Sequence, residues 1–242
     1  MSDHFNSNES LTQFSTVNGL LVGLYDGMFS VEEVLARGNF GLGCPHAMEG
    51  EMLIHEHECF VAPANVPPRK MAKTETVAFA QVADFNPTIK LEVGNGVNKG
   101  LLAEILLESA ATKNLFIGFR AVGKFTDLTI RQPPVDLEPP YPPMIEVLKT
   151  QTKLTYPEAE GTLLGFWTPS QYQGLSVAGI HMHFLQGDEV IGGHVMDLNI
   201  QSAILEIQVY NNFNLILPRS QKFLHKDMDY ENMDAHIKEA EG

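Results

Sequence analysis

Residues 179–197 have the sequence GIHMHFLQGDEVIGGHVMD, in which apolar residues alternate with histidines before a glycine-containing turn. Side chains two positions apart on a strand share a face, so His181 and His183 point to the same side. Gly187 and Asp188 lie between two apolar runs and predict a two-residue turn. The stretch is therefore predicted to be a β-hairpin with two histidines on one face.

The predicted turn places a third histidine beside the first two. In that register His194 lies opposite His181, and Gly192, which has no side chain, leaves room opposite His183. Directly opposed Cβ atoms are about 4.5–5.5 Å apart, so the three imidazoles can converge on one ion. Three histidines without a fourth ligand are typical of catalytic zinc, although Fe, Mn, Co and Ni also accept imidazole. A surface hairpin with incidental histidines is the alternative, and the third histidine favours the metal site.

A second pair of histidines has the same spacing but a different setting. His55 and His57 alternate with glutamates in a dense charged stretch between two short apolar runs. The turn that joins these runs supplies no third histidine. We therefore interpret this pair as part of a solvated turn and not as metal ligands.

The bulk composition limits the classes of partner. The chain has 242 residues, of which 44% are hydrophobic, and a formal net charge of −14. This charge repels phosphate backbones and anionic lipid, so nucleic-acid and membrane partners are not expected. No apolar run reaches the ~18 residues of a spanning helix, and residues 1–10 lack a secretion signal, so a cytoplasmic location is predicted. Cys44 and Cys59 are expected to be buried thiols.

Capping signals and periodicity predict a β-rich chain with a few helices. Ser30 as N-cap and Glu33 three residues later predict a helix over 31–37. Apolar spacing predicts a longer helix over 98–112, and prolines are expected to begin a short one over 144–150. The other predicted elements are a glycine-rich loop at 38–50 and strands at 20–25, 52–54, 59–62, 76–82, 115–122, 126–131, 161–168, 177–185, 190–200, 203–209 and 215–217.

A proline-rich stretch divides the predicted elements. Residues 133–143 include six prolines, which cannot lie in a central strand or a helix interior. The division predicts an N-terminal mixed α/β-sheet domain at 1–132 and a β-rich domain at 133–242 that carries the histidines. The predicted fold class is α+β and β-rich, with two mixed-sheet or β-barrel-like halves, a few helices and the metal hairpin between the halves.

Several motifs, in order along residues 20 to 217, resemble one family, the acetolactate decarboxylases. The most specific is the pair of histidine motifs that form the predicted metal site. The motifs that carry the resemblance are Leu24-Tyr-Asp-Gly27, Gly38-Asn-Phe-Gly-Leu-Gly43, Glu49-Gly-Glu-Met52, Pro140-Tyr-Pro-Pro-Met144, His181-Met-His-Phe184 and Gly192-Gly-His-Val195.

The resemblance implies a set of site residues. It implies decarboxylation of 2-acetolactate to acetoin and CO₂ at a zinc ion held by the three histidines. It further implies an acidic residue after the glycine loop, which matches Glu51, and an arginine, which matches Arg131, with Arg120 as a competitor. The family's C-terminal glutamate matches Glu241, with Glu239 as a competitor, and implies that the tail folds back to the site.

The implied reaction needs a sink for two electrons. Loss of CO₂ from a β-keto acid leaves an electron pair that is delocalised as an enediolate, and a metal that chelates the substrate stabilises this charge. No organic cofactor is then required. Glu51 and Glu241 are assigned jointly to proton transfer, and Arg131 to the substrate carboxylate or the anionic transition state.

Exposed strand edges and the family resemblance also predict a homodimer.

Two other functional classes remain open at this level. A cupin-like metalloenzyme would use the same histidine face with a carboxylate ligand between its histidines, for which Glu189 lies in the correct interval but at the turn. A non-catalytic metal-stabilised β protein would show a closed shell of four ligands and no buried arginine.

Overall fold

Two β-sheets carry most of the chain in the computed structural model, which describes residues 9–228 and 235–237. The predicted β-rich fold with few helices is confirmed. The strands are β1 Ser10–Phe14, β2 Phe29–Ser30, β3 Phe40–Pro45, β4 Glu51–His55, β5 Glu58–Ala62, β6 Arg69–Lys70, β7 Thr76–Ala83, β8 Ile89–Asn98, β9 Phe116–Gln132, β10 Thr152–Thr168, β11 Gly179–Gln186, β12 Gly192–Tyr210 and β13 Asn212–Ile216. The helices are α1 Val17–Leu21, α2 Val31–Leu35, α3 Lys99–Ala110, α4 Met144–Val147 and α5 Gln221–His225.

The sheets differ in size and closure. The first has the strand order β13-β1-β7-β3-β4-β5-β6, with β2 paired to β7. The second has the order β11-β10-β9-β12-β8, and an additional pairing of β11 with β12 joins four of its strands into a ring. The predicted metal hairpin closes this ring, so its position is set by strands on both sides.

The second sheet buries side chains on both faces. On one face Met182 and Phe184 pack in a cluster with Leu102 and Leu106 of α3. On the other face, side chains such as Phe166 pack in a cluster with strands of the first sheet. Each fully buried side chain of this kind stabilises the fold by about 1.5–3 kcal/mol. The histidines of β11 alternate with Met182 and Phe184, so they face the space between the two sheets.

The predicted cap at Ser30 is confirmed in atomic detail, and helix α3 has a cap of its own. The Ser30 hydroxyl accepts a hydrogen bond from the Glu33 amide, and the Glu33 carboxylate accepts one from the Ser30 amide, at 3.2 and 2.8 Å. The Asn98 side chain accepts a hydrogen bond from the Leu101 amide at the start of α3, at 2.9 Å. No helix in the described part of the chain combines the length and apolar character needed to cross a membrane.

Two local predictions near the N-terminus are wrong. Residues 20–25 were expected to form a strand, but the segment begins within α1, because the Thr16 side chain caps the Gly19 amide and starts a helix. The expected glycine loop at 38–50 contains strand β3, which is buried along its whole length. The segment is rich in glycine, so its composition resembles that of a loop. Its glycines alternate with apolar side chains, however, and its backbone pairs with β4 and β7.

Two pairs of predicted strands are single long strands. The predictions at 115–122 and 126–131 merge into β9, and those at 190–200 and 203–209 merge into β12, which is irregular between Ile200 and Ser202. The sheets are not divided at residue 132, because β8 and β9 pair with strands that follow it. The division into domains 1–132 and 133–242 stays a prediction about folding units.

Candidate metal centre

The three predicted histidines lie on one face of the β11–β12 hairpin, in a register that differs from the predicted one. His183, and not His181, lies directly opposite His194, and Gly192 lies opposite Leu185. The turn has four residues instead of two, since the Gln186 amide donates a hydrogen bond to the Ile191 carbonyl at 2.8 Å. A shift of two residues keeps every side chain on its face, so the wrong register still brings the histidines together.

The imidazoles form a compact and buried group. Their ring centroids are 5.0–5.4 Å apart, and their possible ligating atoms all lie within 4.8 Å of one another. His181 is 7% exposed, and His183 and His194 are each 1% exposed. Within residues 9–228 and 235–237, this is the group of three ligating side chains that can hold a metal ion.

A backbone contact fixes the orientation of one imidazole. The Nδ1 atom of His183 lies 2.8 Å from the carbonyl oxygen of Met52. A carbonyl oxygen only accepts hydrogen bonds, so Nδ1 carries a proton, and Nε2 is the ligating atom of the neutral ring. Such a contact to the second ring nitrogen is the usual way in which a protein orients a metal-ligating histidine.

The electrostatics of the group favour neutral imidazole, which is the form that binds metal. Burial, followed by the guanidinium of Arg131 and the ammonium of Lys99, lowers the pKa of His181 to about 3. Burial, followed by Arg131 and the neighbouring histidines, holds the pKa of His194 well below its usual range. Three buried imidazole nitrogen donors fit a divalent transition metal, and zinc is the common choice for such a set.

These pKa shifts predict a pH dependence for the metal-free protein. The histidines of the unfolded chain take up protons near pH 6.5, whereas His181 and His194 in the folded chain do not. The unfolded state then binds more protons, so the free energy of unfolding should decrease as the pH falls from 6.5 towards 3. Urea unfolding of chelator-treated protein at pH 7 and pH 5 measures this decrease. A His181→Gln/His194→Gln variant should lose less stability over this interval, and an equal loss would contradict the assignment.

Glu51 lies beside the histidines at the first position of β4. Its Oε2 is 3.4 Å from the Nε2 of His183. Gly50, which precedes it, has a φ of +141°, and a Cβ there would lie 2.7 Å from the carbonyl oxygen of Ala62. Glycine at this position therefore lets the chain enter β4 with the Glu51 side chain directed at the histidines.

Gly192 has a different role from the one predicted. It does not leave room beside His183, because it lies opposite Leu185. A Cβ there would lie 2.9 Å from Cγ of Pro68 and 3.0 Å from Cβ of Ala62. Its lack of a side chain allows the segment that follows β5 to approach the hairpin closely.

Arg131 completes the polar side of the group. It is paired with His194 in the β9–β12 ladder, its side chain is almost fully buried, and its Nε is 3.8 Å from Oε1 of Glu51. The competing Arg120 pairs instead with Glu206, at 2.6 Å. Geometry therefore brings Arg131, and not Arg120, to the three histidines.

A pocket lies beside these polar groups, and most of its other lining side chains form an apolar wall. Glu51, Arg131, His181 and His183 line it together with side chains that the sequence analysis did not identify. These come from separate segments of the chain, and of them only Met144 lies in one of the family motifs. The apolar wall includes Val17, Leu20, Met48, Phe79, Met144 and Val177.

Other candidates lie away from this pocket. His55 ends β4, His57 lies in the turn between β4 and β5, and neither belongs to the ligating group. Glu189 lies in the hairpin turn and does not belong to the ligating group, so it does not supply the carboxylate that a cupin-like site would use. Cys44 and Cys59 are both buried and form no disulfide, as predicted.

The C-terminal candidates, Glu239 and Glu241, lie outside the described residues. Ile237, two residues before Glu239, is described and is 1% exposed. It packs in the apolar cluster that contains Val17 and Val177, which also line the pocket. The chain thus returns to the wall of the pocket four residues before Glu241.

Comparison with known proteins assigns the family. The family model for alpha-acetolactate decarboxylase matches residues 11–230. The chain is 34% identical to the alpha-acetolactate decarboxylase of Methylococcus capsulatus over 95% of this chain and 87% of the relative, and 32% identical to that of Bacillus licheniformis over 97% and 92%. The crystal structure of alpha-acetolactate decarboxylase from Bacillus subtilis strain 168 superposes with a TM-score of 0.93 at 28% identity, covering 96% of this chain and 99% of that one. The chain therefore belongs to the alpha-acetolactate decarboxylase family of carboxy-lyases.

Proposed function

We propose that the protein converts 2-acetolactate to acetoin and CO₂ at a zinc ion bound by His181, His183 and His194. The observation that carries this proposal is a group of three buried imidazoles, two of which, His181 and His183, line one pocket together with the Glu51 carboxylate and the Arg131 guanidinium. Relatives that match nearly the whole chain are named alpha-acetolactate decarboxylase, and this supports the same reaction. Other divalent transition metals could occupy the same donor set.

The chemistry requires stabilisation of negative charge. When 2-acetolactate loses CO₂, the electron pair of the broken C–C bond moves onto the neighbouring ketone and gives an enediolate. A divalent ion, when bound, supplies a Lewis acid for the ketone and hydroxyl oxygens of the substrate. With this sink, neither thiamine diphosphate nor pyridoxal phosphate is needed.

Arg131 is the residue that we assign to the anionic part of the substrate. It is buried in a protein with a net charge of −14, so it provides local positive charge where the overall field would repel a carboxylate. A guanidinium can bind a carboxylate through two parallel hydrogen bonds. Once CO₂ has left, the same charge stabilises the anion that remains.

Glu51 is assigned to proton transfer, jointly with Glu241. The Glu51 Oε2 atom lies 3.4 Å from the metal-facing nitrogen of His183, so a carboxyl group at this point is close to any substrate held there. In the proposed step a carboxyl group returns one proton to the enediolate carbon. Delivery from one side of the planar enediolate gives a chiral product, and a positioned acid of this kind typically contributes about 10²–10⁴ in rate.

The apolar wall completes the proposed substrate site. The apolar parts of 2-acetolactate are two methyl groups, and side chains such as Leu20, Met144 and Val177 offer them an apolar surface. Exclusion of water by this wall strengthens the electrostatic interactions on the polar side. The pocket thus separates binding of alkyl groups from the reacting atoms.

The proposal is tested by one assay. Metal-replete protein without added organic cofactors should form acetoin from 2-acetolactate faster than the spontaneous reaction, with CO₂ released in equal amount. Addition of thiamine diphosphate or pyridoxal phosphate should not change the rate. Folded, metal-replete protein that forms acetoin only at the spontaneous rate would refute the function.

A further inference from the structure

Three buried polar side chains form a hydrogen-bonded cluster behind the apolar wall of the pocket. Gln13, Gln81 and Ser176 are each no more than 1% exposed. The Nε2 of Gln13 donates to the carbonyl oxygens of Ser15 at 2.9 Å and Leu175 at 2.8 Å. Its Oε1 accepts from the Ser176 hydroxyl and from Nε2 of Gln81. Gln13 thus uses its full hydrogen-bonding capacity of two donors and two acceptor sites.

The cluster links three separate segments of the chain. Gln13 lies on β1, Gln81 lies on β7, and Ser176 belongs to the connection between β10 and β11. This connection also binds the start of α1, because the Val17 amide donates to the Leu175 carbonyl at 3.1 Å and the Asn18 amide to the Gly174 carbonyl at 3.0 Å. The connection and α1 are therefore held together as one unit against the first sheet.

This unit carries part of the pocket and leads into the metal hairpin. Val177 follows Ser176 directly and lines the pocket, as do Val17 and Leu20 of α1. Strand β11, with its two histidines, begins at Gly179. Packing of apolar side chains alone tolerates small shifts, whereas a fully satisfied buried network has a single arrangement. The cluster is thus placed to set the distance between the apolar wall and the imidazoles.

We propose that Gln13, Gln81 and Ser176 are positioning residues that hold Val177 and α1 against the substrate site and so limit the size of the alkyl group that the substrate can carry. This inference rests on the proposed function for the identity of the substrate. The substrate class is a 2-hydroxy-3-oxo acid with a small alkyl group on C2. A methyl group is accepted, and an ethyl group at the same carbon is disfavoured by the fixed wall.

The experiment compares two cluster variants with a matched control. Ser176→Ala removes one hydrogen bond, and Gln13→Met removes all four while keeping the approximate length of the side chain. Gln208→Met is the control, because Gln208 is also a buried glutamine with a backbone partner, the Asn86 amide, but lies near the opposite end of β12 from His194. Metal content is measured in every variant, so loss of the metal centre is recognised separately.

The readout is discrimination between the methyl substrate and its ethyl homologue. One methylene in an apolar pocket is typically worth about 10–200-fold in kcat/KM. Ser176→Ala and Gln13→Met should reduce the methyl-to-ethyl ratio by about 5- to 10-fold at unchanged metal content, and Gln208→Met should leave it unchanged. An unchanged ratio in the cluster variants would overturn the proposal. If Gln13→Met does not fold, Ser176→Ala decides the result.

A double-mutant cycle tests whether the cluster acts through Val177. Val177→Ala should lower the ratio by itself, and addition of Ser176→Ala should then change it less than 2-fold, because the wall is already released. Fully additive effects would mean that Ser176 does not position Val177.

Binding of a non-reactive analogue separates this inference from the proposed function. When an alcohol replaces the ketone, the molecule cannot lose CO₂. The ratio of the Kd values of its 2-methyl and 2-ethyl forms for zinc-loaded protein then reports only how the apolar wall discriminates between the two alkyl groups. This ratio should shift in the cluster variants as the kinetic ratio does. A parent protein that binds these analogues selectively but forms no acetoin would refute the reaction, and the cluster would still be decided by the Kd ratios. A parent that does not discriminate between them would overturn the inference.

Discussion

Replacement of His194 with alanine is expected to remove the metal and to lower turnover by at least about 10³-fold. His194 is one of three donors, and two remaining imidazoles bind a divalent ion far more weakly. Loss of the Lewis acid removes several kcal/mol of transition-state stabilisation, and each 1.4 kcal/mol corresponds to a factor of ten. His181→Ala and His183→Ala should behave in the same way. Elemental analysis together with acetoin formation measures both effects.

The control for the histidine variants lies at the turn between β4 and β5. His55→Ala and His57→Ala change histidines with the same i, i+2 spacing that are not part of the ligating group. They should retain about one metal ion per chain and the parent turnover. Full metal content in all three site variants would show that the ion is bound elsewhere in the protein.

Loss of the Glu241 side-chain carboxylate is expected to produce the second largest effect on turnover. Deletion of residues 238–242 should reduce turnover by roughly 10²-fold or more, the usual scale for a positioned acid or base. Ile237 is buried in the cluster that lines the pocket, and four extended residues span at most about 14 Å, so Glu241 is within reach of the pocket from that anchor. Glu241→Gln should reproduce most of the loss.

Matched variants distinguish a catalytic tail from a structural one. Glu239→Gln, two residues earlier, should keep the parent rate. Metal content and thermal stability should change little in the truncated protein, because the deletion leaves Ile237 in place. A truncated protein that turns over at the parent rate would leave proton transfer to Glu51 or to metal-bound water.

The histidine group was predictable from the sequence because it depends on parity and not on exact register. The spacing of His181 and His183 places them on one face of a strand, and any even shift of the hairpin keeps His194 on that face. The four-residue turn produced such a shift. Glu51 and Arg131 were identified through family motifs, and the structure places both beside the histidines.

The apolar wall and its supporting cluster could not be predicted. Val17, Leu20 and Val177 come from segments about 160 residues apart in the chain, and their meeting depends on the pairing of β1 with β7 and on buried side-chain hydrogen bonds. Helix α1 was missed for a related reason. The apolar run after Thr16 fits a strand equally well, and the capping contact to the Gly19 amide decides for the helix.

Titration of zinc into chelator-treated protein tests the central claim most directly. Acetoin formation from 2-acetolactate should be at the spontaneous rate without metal, rise linearly with added zinc, and reach a plateau at about one equivalent per chain. The His194→Ala protein should show no such rise at the same zinc concentrations. Full activity in the stripped parent protein, or an equal rise in the variant, would contradict a reaction at the three histidines.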